Sequence, residues 1–487
     1  MNEHNAMASK NPTFARTKIV CTLGPASDTF EKIQPLVEAG MDVARLNFSH
    51  GTHDEHKAVL MNLRRVAEST HEPITVIQDL QGPKIRIGAL VTESVELKQN
   101  ATLIISTKDR KGTAEVISTT YQDFAKDVKP GDRVLLDDGK LELRVLRNLT
   151  PTDVELQVVT GGILTPHKGI NLPGVTISAP SLTEKDQEDL QFAFEHDIDY
   201  VALSFVRRAH DIAILRDFII ENGPKGRKFP IIAKIEKGEA VEDIDGILKE
   251  TDAVMVARGD LGVEVPAEDV PLLQKMIVRK CNEVGKPVII ATQMLETMID
   301  NPTPTRAEAS DVANAVLDGA DAVMLSGETS IGHHPVQAVQ VMDRIIRKTE
   351  EQTERYENYD PRWIPITHEY DPLTRSACVL ADTLKASTIV VLTHSGSTAT
   401  RVAKFRPPAR IIAVTDRDKI MRRLNLVWGI RGLIVENLKK DSDETFRKIQ
   451  EQLLREGYVE HGETIVMLAG IPLFEGHPTN TIKVDTV

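Results

Sequence analysis

Polar and charged side chains follow many of the short apolar runs in this 487-residue sequence. They are Arg45, Asn47, Ser49, His50, Asp79, Lys84, Arg86, Lys234, Glu236, Arg258, Asp260, Thr292, Ser326 and Glu328. Any one polar residue in such a place could simply cap the helix that follows. Helix capping alone does not explain why both positively and negatively charged residues follow so many of these apolar runs. The pattern therefore predicts a binding site for a charged ligand.

Lys234 and Glu236 are two residues apart, so on a strand they point to the same side. With Asp260 expected on the adjacent strand, two carboxylates meet, and Mg²⁺ prefers one or two carboxylates completed by substrate oxygens. Gly259 lets a ligand approach the backbone beside them. The alternative is an ordinary Lys–Glu ion pair, which is costly at a buried strand end.

Three cations, Arg45, Arg86 and Lys234, are expected around this metal site. Cations and Mg²⁺ are what phosphoryl transfer needs, because its catalysis is mostly positioning and charge stabilisation. The residues alone predict a Mg²⁺-dependent enzyme for a phosphorylated, anionic substrate, and they leave that substrate open.

Eight apolar runs must position these residues, and each is too continuous for a half-exposed strand. They are KIVCTL (18–23), DVARLNF (42–48), ITVIQDL (74–80), DYVALSF (199–205), PIIAKIE (230–236), DAVMVARGD (252–260), PVIIATQ (287–293) and DAVMLSGE (321–328). Helix-like stretches that end in Gly lie between them. Eight strands alternating with helices predict a (β/α)8 TIM barrel, whose active site lies at the carboxyl ends of the strands. An open doubly wound sheet is the alternative.

The long stretch between the third and fourth runs has a different, alternating pattern with turn residues, which predicts an inserted all-β domain. At the carboxyl end of a barrel strand, such an insert can act as a lid. A second α/β alternation starts near residue 373. We divide the chain into an N-terminal tail (1–14), a catalytic barrel (15–84 and 177–353), a β-barrel lid (85–176) and a C-terminal α/β domain (354–487).

Composition excludes several classes of protein. The formal net charge of −13 argues against a general nucleic-acid binder. Three scattered cysteines fit a reducing cytoplasm better than a disulfide framework. No apolar run approaches the length of a membrane span, and the polar N-terminus lacks the apolar region of a secretory signal.

Long motifs of this sequence resemble pyruvate kinase, from about residue 15 to the end and through all three predicted domains. They are RLNFSHG (45–51), QDLQGPKIR (78–86), HKGINLPG (167–174), IIAKIEKGEAV (231–241), MVARGDLGVE (255–264), ATQMLETM (291–298) and NPTPTRAEASDVANAVLDGADAVMLSGET (301–329). The resemblance implies transfer of the phosphoryl group of phosphoenolpyruvate to ADP, giving pyruvate and ATP, by a cytoplasmic homotetramer with a C-terminal effector domain.

The resemblance also implies residue roles. Glu236 and Asp260 hold Mg²⁺, and Lys234 and Arg45 bind the phosphoryl group. The substrate carboxylate meets backbone N–H groups near Gly259 and Asp260, with Thr292 beside it. The nucleotide side is Asn47, His50, Arg86 and Lys168. Ser326 and Glu328 belong to the relay that protonates the enolate, and the proton donor, Thr292 or a relayed water, stays open.

Lys84 departs from the family's best-known pattern. Asn47, Ser49 and Asp79, with the main-chain oxygen of Leu80, match the monovalent-cation position of potassium-dependent relatives, which carry Glu where this sequence has Lys84. A Lys supplies a fixed positive charge there. The resemblance therefore implies the bacterial type that needs no K⁺. The alternative is that Lys84 pairs with Asp79 or faces solvent.

The segment THSGST (393–398) resembles the family's effector loop for a phosphorylated allosteric activator. Its candidate residues are Thr393, Ser395, Gly396, Ser397 and Thr398. The later loop 470–480 lacks the Trp and Arg that bind the second phosphate of fructose 1,6-bisphosphate in animal-type members, which favours a monophosphate. The alternative is a plain N-cap turn.

The sequence leaves two alternative functions open. One is a different Mg²⁺-dependent barrel enzyme for phosphoenolpyruvate or pyruvate, such as an aldolase or mutase. The other is a catalytically inactive relative that senses a metabolite. The nucleotide-side residues and the lid argue against the first, and the intact Arg45, Lys234, Glu236, Asp260 and Thr292 argue against the second.

Overall fold

A computed structural model of the chain describes residues 14–356, 362, 364–436, 441–473 and 477–487. Residues 1–13 of the predicted tail lie outside this description. The first elements are β1 (Lys18–Thr22), α1 (Phe30–Glu38), β2 (Val43–Asn47), α2 (His53–Thr70) and β3 (Thr75–Asp79). A capping box at Thr52, in which its hydroxyl and Glu55 bond each other's backbone N–H groups, starts α2.

The inserted segment forms two small sheets after β3. Its elements are β4 (Val95–Leu97), β5 (Thr102–Ser106), β6 (Val116–Ser118), α3 (Phe124–Asp127), β7 (Arg133–Leu136), β8 (Leu141–Asn148), β9 (Asp153–Thr160), β10 (Gly162–Leu164) and β11 (Ile170–Asn171). The larger sheet has the order β11-β7-β8-β9-β5-β6, and β10 pairs with β4. Its own core runs from Ile85 to Leu172, because alternate residues of β8 and β9 point inward.

The chain then returns to the barrel. The elements are α4 (Glu184–Glu195), β12 (Tyr200–Val206), α5 (Ala209–Asn222), β13 (Ile231–Ile235), α6 (Gly238–Glu242), α7 (Ile244–Glu250), β14 (Ala253–Ala257), α8 (Arg258–Glu264), α9 (Val270–Val284), β15 (Val288–Ala291), a 3-10 helix (Glu296–Ile299), α10 (Arg306–Leu317), β16 (Ala322–Leu325), α11 (Gly327–Ser330) and α12 (Pro335–Tyr356). Helix α9 ends where Gly285 adopts φ 70°, a left-handed conformation that glycine accepts without strain.

Eight strands close a parallel barrel in the order β1-β16-β15-β14-β13-β12-β3-β2. Every residue of β1, β3 and β13 to β16 is buried, as continuous apolar runs require in a sheet covered on both faces. The predicted (β/α)8 fold is confirmed, and the open doubly wound alternative is wrong because β1 pairs with both β2 and β16.

One expected placement is wrong in detail. Asp260 was expected on the strand adjacent to Lys234, but β14 ends at Ala257 and Asp260 lies in the first turn of α8. An acidic side chain is favoured there because the N-terminus of a helix carries a partial positive charge. Asp260 still lies at the carboxyl end of the strand next to β13.

The C-terminal part forms a separate five-stranded sheet. Its elements are α13 (Asp371–Thr383), β17 (Thr388–Leu392), α14 (Ser397–Lys404), β18 (Arg410–Thr415), α15 (Asp418–Leu424), β19 (Ile430–Ile434), α16 (Ser442–Arg455), β20 (Thr464–Ala469) and β21 (Thr481–Thr486). The order is β19-β18-β17-β20-β21, with only β21 antiparallel among these strands. In the described part of the chain, we find no helix with the length and hydropathy needed to cross a membrane.

This sheet packs against the base of the barrel, opposite the end where the strands finish. Leu426 is fully buried among the inward-facing residues of the barrel strands, including Val20, Ile232 and Met255. Around it, Arg406 pairs with Asp321 at 3.1 Å. The C-terminal domain therefore supplies one residue of the barrel's own core.

We predict that Leu426→Ala lowers the free energy of unfolding by about 2–5 kcal/mol, because it leaves a cavity inside a closed barrel. Urea unfolding followed by far-UV circular dichroism measures the loss. The matched control is Leu149→Ala, at a position that is 41% exposed. Equal losses in both variants would contradict the inference that Leu426 closes the barrel.

Candidate active site

Lys234 is the centre of an ion network at the carboxyl end of the barrel. Its ammonium lies 3.2 Å from Asp79 Oδ1 and 2.9 Å from Glu236 Oε1, and it donates to Ser204 Oγ at 2.7 Å. Only 8% of Lys234 is exposed. Burial by itself lowers the pKa of this amine, but Asp79 and Glu236 outweigh it and hold the pKa above its ordinary value. Lys234 therefore stays charged at neutral pH.

Arg45 joins the same network from the neighbouring strands. Its Nε donates to Asp79 Oδ2 at 2.6 Å, and its guanidinium also donates to Thr22 Oγ1 at 2.9 Å. Burial would raise the pKa of Asp79, but the charges of Lys234 and Arg45 outweigh it, so the pKa lies below its usual range. One carboxylate therefore fixes two cations side by side.

Glu236 and Asp260 are the two carboxylates predicted for a metal. Burial raises the pKa of Glu236, against the pull of Lys234, and the like charge of Asp260 adds to that rise. Glu236 also accepts the backbone N–H of Phe205 at 2.7 Å. Among the described residues Asp260 forms no ion pair, and it lines a cleft between the barrel and the lid. A free carboxylate beside a buried one fits a divalent cation that would relieve their repulsion.

No group of three or more His, Cys, Asp or Glu side chains able to hold a metal occurs in the described part of the chain. Two carboxylates match the coordination habit of Mg²⁺, which takes its remaining oxygens from substrate and water. The Lys234–Glu236 ion pair, which the sequence offered as the alternative to a metal site, is present at 2.9 Å. Glu236 is therefore both the partner of Lys234 and a candidate metal ligand.

Thr292 follows β15 in a strained conformation. Its φ is 67° and that of Gln293 is 56°, values that cost energy in residues other than glycine. The Thr292 hydroxyl accepts the Gly259 N–H at 2.7 Å and donates to the Ala291 carbonyl at 2.7 Å. The N–H group predicted to meet a substrate carboxylate is thus occupied by Thr292, which sits directly beside it.

Glu328 and Ser326 lie after β16. Both carboxylate oxygens of Glu328 accept backbone N–H groups, from Leu295 at 3.1 Å and Ser326 at 2.7 Å. Burial raises the pKa of Glu328. The buried Ser326 Oγ has no hydrogen-bond partner among the described residues. Glu328 therefore ties two loops together, and Ser326 offers a free hydroxyl.

Comparisons with known proteins assign the chain to a family. Residues 14–339 match the family model described as pyruvate kinase, barrel domain, and residues 371–485 match the one described as pyruvate kinase, alpha/beta domain. The chain belongs to the pyruvate kinase family. The pyruvate kinase of Geobacillus stearothermophilus is 45% identical over 97% of this chain and 80% of its own length. That of Corynebacterium glutamicum is 46% identical over 96% and 97%.

A solved structure agrees with this assignment. The crystal structure of a pyruvate kinase from Cryptosporidium parvum superposes with a TM-score of 0.90 at 36% identity, covering 97% of this chain and 96% of that one. The resemblance inferred from the sequence motifs is confirmed, and so is the enzyme class, a phosphotransferase.

The residues predicted for the nucleotide side divide into two groups. The pKa of His50 is lowered first by partial burial and then by the positive charges of Arg86, Lys84 and Arg45. Lys168 belongs to the lid, where it pairs with Asp137 at 2.7 Å. Arg86, at the start of the lid, donates to the His167 carbonyl of the same domain at 3.0 Å.

The residues predicted for a monovalent cation are partly engaged. Asn47 accepts the Ser49 N–H at 3.2 Å, and the Leu80 carbonyl accepts from Ser204 Oγ at 2.7 Å. Asp79 pairs with Arg45 and Lys234. Lys84 is half-buried and forms no ion pair with a carboxylate in the described ranges.

Two site residues escaped prediction. Ser204 bonds both Lys234 and the Leu80 carbonyl, and Phe205, at φ 55°, offers its N–H to Glu236. Both lie inside the run DYVALSF, which reads as a buried strand. The one sequence feature that could have identified this part of the site is the hydroxyl of Ser204, near the carboxyl end of that run.

We predict that Asp79→Asn lowers the free energy of unfolding by about 3–5 kcal/mol at neutral pH, because two buried cations lose their shared counter-charge. The folded pKa of Asp79 is depressed, so its ionised form contributes stability above the unfolded pKa. That contribution disappears as pH falls through the folded pKa. Urea unfolding of wild type and variant, compared at pH 7 and at several pH values below the ordinary Asp pKa of about 3.9, measures this difference.

The control for Asp79→Asn is Asp123→Asn, an exposed acid of the lid whose side chain retains 48% exposure. The difference in unfolding free energy between wild type and Asp79→Asn should narrow as pH falls below about 4, and Asp123→Asn should differ little from wild type at any pH. A gap that widens on acidification would refute the proposed charge network.

Proposed function

We propose that the mouth of the barrel carries out the pyruvate kinase reaction, in which the phosphoryl group of phosphoenolpyruvate passes to ADP. The observation that carries this proposal is the buried, charged Lys234 held next to Arg45 by Asp79. An oxygen of the terminal phosphate of ADP attacks phosphorus, and the bond from phosphorus to the enol oxygen breaks. The resulting enolate takes a proton to become pyruvate.

Lys234 and Arg45 act on the phosphoryl group in flight. Their charges are fixed before the substrate arrives, so stabilising the transition state needs no further reorganisation. The attraction between these two cations and the phosphoryl group is strong because both side chains are largely buried, where water screens charges little. Asp79 orients both cations and is a positioning residue.

We propose that Glu236 and Asp260 hold Mg²⁺. When bound, this ion supplies a Lewis acid that neutralises negative charge on substrate oxygens. Thr292, beside Gly259, is placed to orient the carboxylate of phosphoenolpyruvate. The Ser326 hydroxyl, which has no hydrogen-bond partner in the described ranges, is placed to pass a proton toward the enolate, with Glu328 fixing the loop that carries it.

We also propose that the lid completes the nucleotide site. Asn47 and His50 lie on the barrel side, Arg86 lies at the start of the lid, and Lys168 lies further within the lid. Lid closure would bring Lys168 toward the nucleotide and exclude water from the transfer. The predicted activator at the loop 393–398, the homotetramer and the cytoplasmic location stay predictions, as do the domain boundaries.

We predict that Lys234→Met lowers kcat by at least about 10²–10³-fold, because a charge at the transition state is lost. A coupled assay with phosphoenolpyruvate, ADP and Mg²⁺ measures it, at a temperature where circular dichroism shows the variant folded. The matched control is Lys18→Met, another buried lysine, which pairs with Asp42 at the opposite end of the barrel. Near-normal kcat in folded Lys234→Met would remove Lys234 from catalysis.

We predict that Glu236→Gln and Asp260→Asn each raise the Mg²⁺ concentration needed for half activation by about tenfold or more, since a charged oxygen ligand becomes neutral. A Mg²⁺ titration of activity measures the midpoint. Asp42→Asn, at the base of the barrel, is the control. An unchanged midpoint in either active-site variant would place the metal elsewhere.

We predict that the wild-type enzyme is nearly fully active in K⁺-free buffer, with a tetramethylammonium salt holding the ionic strength. Lys84 supplies the positive charge that a bound cation would otherwise provide. Lys84→Glu should create a K⁺ requirement, while Lys98→Glu, the same charge change at an exposed lid position, should not. Wild-type enzyme that stays inactive until K⁺ is added would overturn the role of Lys84.

A further inference from the structure

The loop of residues 48–51 follows β2 and carries His50, one of the residues proposed for the nucleotide side. The tip of this loop, at His50 and Gly51, is exposed, whereas Phe48 at its start is buried. A side chain on an exposed loop meets a ligand in one place only if the loop is held there. Two side chains from neighbouring helices hold this loop, and neither belongs to the residues assigned above.

His56 of α2 holds the carbonyl group of His50. Its Nε2 atom lies 2.9 Å from the His50 carbonyl oxygen. A carbonyl oxygen only accepts hydrogen bonds, so the Nε2 atom of His56 carries a proton and donates. The imidazole ring also stacks on Phe48, with ring centroids 4.1 Å apart and 14° between the ring planes. Because Phe48 is only 2% exposed, this packing fixes the ring that donates.

Lys185, in the first turn of α4, holds the carbonyl group of Phe48. Its Nζ donates to the Phe48 carbonyl at 2.9 Å and pairs with Asp189 Oδ2 at 2.6 Å. Lys185 and Asp189 are four residues apart, so on a helix they are neighbours. The other oxygen of Asp189 accepts from His53 Nε2, at the start of α2, at 2.8 Å. One buried carboxylate therefore orients Lys185 and ties α4 to α2.

Helix α4 is itself fixed against the barrel. Gln78, which is fully buried on β3, donates its side-chain N–H to the Asp189 carbonyl at 2.6 Å. Phe192 of α4 packs edge-on against Phe48, with ring centroids 5.2 Å apart. Lys185 therefore extends from a rigid support, and its bond to the loop restricts where the loop can lie.

Backbone bonds complete the position of the loop. The Phe48 N–H donates to the Asp79 carbonyl at 2.9 Å, and the His50 N–H donates to the Asn47 carbonyl at 3.2 Å. With the two side-chain donors, the N–H and the carbonyl of both Phe48 and His50 are paired. Segments with few such bonds open easily, so the loss of one bond loosens the loop.

We propose that His56 and Lys185 are positioning residues for the nucleotide, because they fix the backbone that sets the direction of the His50 side chain. This inference rests on the proposed function, in which His50 belongs to the ADP site. Neither residue contacts the reacting atoms, and each acts through the loop 48–51.

The groups proposed for phosphoenolpyruvate do not depend on these anchors. Arg45 and Lys234 are held by Asp79, and Arg45 also donates to the Thr22 hydroxyl. The loss of an anchor therefore weakens nucleotide binding and leaves phosphoenolpyruvate binding almost unchanged. General disruption of the barrel would weaken both.

Isothermal titration calorimetry of the full chain with ADP and Mg²⁺ tests the proposal. His56→Phe keeps an aromatic ring against Phe48 but removes the donor. We expect it to raise the Kd of ADP about three- to tenfold, the usual effect of losing one hydrogen bond. His56→Gln keeps an N–H that reaches the same carbonyl, so its Kd should lie within about twofold of wild type.

Lys185→Met tests the second anchor and should also raise the Kd of ADP about three- to tenfold. The matched controls are His210→Phe and Lys249→Met, at exposed positions of α5 and α7, and both should stay within about twofold. The coupled assay adds a second readout, in which the KM for ADP rises in the anchor variants and the KM for phosphoenolpyruvate does not. Thermal melts check the folding of each variant.

A double-variant cycle tests whether His56 acts through His50. We expect His50→Ala to raise the Kd of ADP by itself. In the His50→Ala background, His56→Phe should then raise this Kd by less than about twofold. An equal effect of His56→Phe in both backgrounds would contradict the proposal, and so would an unchanged Kd in folded His50→Ala.

Other results would also overturn the proposal. An unchanged Kd in folded His56→Phe or Lys185→Met would remove that residue from its role, and a His56→Gln variant as weak as His56→Phe would exclude the donated bond as the cause. Equal rises in the KM of ADP and of phosphoenolpyruvate would indicate general disruption. Calorimetry needs no turnover, so a wild type that binds ADP without transferring a phosphoryl group would refute the proposed reaction while binding still decides on the anchors.

Discussion

The proposed active site is built around one buried charge network, in which Asp79 holds Lys234 and Arg45 at the mouth of a closed barrel. An ammonium that is 8% exposed would be unfavourable alone. Two carboxylates and a serine hydroxyl compensate for its lost hydration. The result is positive charge fixed in a poorly hydrated place, which is what a phosphoryl group in transfer requires. At the same rim, Thr292 and Phe205 adopt backbone conformations with positive φ, which are energetically unfavourable for residues other than glycine.

The barrel makes that network possible because it brings the carboxyl ends of separate strands to one rim. Asp79 ends β3, Arg45 lies on β2 and Lys234 on β13, and β12 between β3 and β13 contributes Ser204. Closing the barrel buries every one of these strands from both sides. At the opposite end, Leu426 of the C-terminal domain fills the interior. The rim that carries Lys234 and the interdomain contact are therefore at the two ends of one packed barrel.

The sequence by itself determined the eight-strand alternation, the inserted β segment and the family, because buried parallel strands are continuous apolar runs and the motifs are long. It also identified Lys234, Glu236 and Asp260, whose types and spacing are local. Only the tertiary structure decided that Asp79 is shared by two cations, that Ser204 supports Lys234, and that Thr292 occupies the Gly259 N–H. Those contacts join residues from different strands. A single polar side chain inside an apolar run produces no repeating sequence pattern from which its contacts could be predicted.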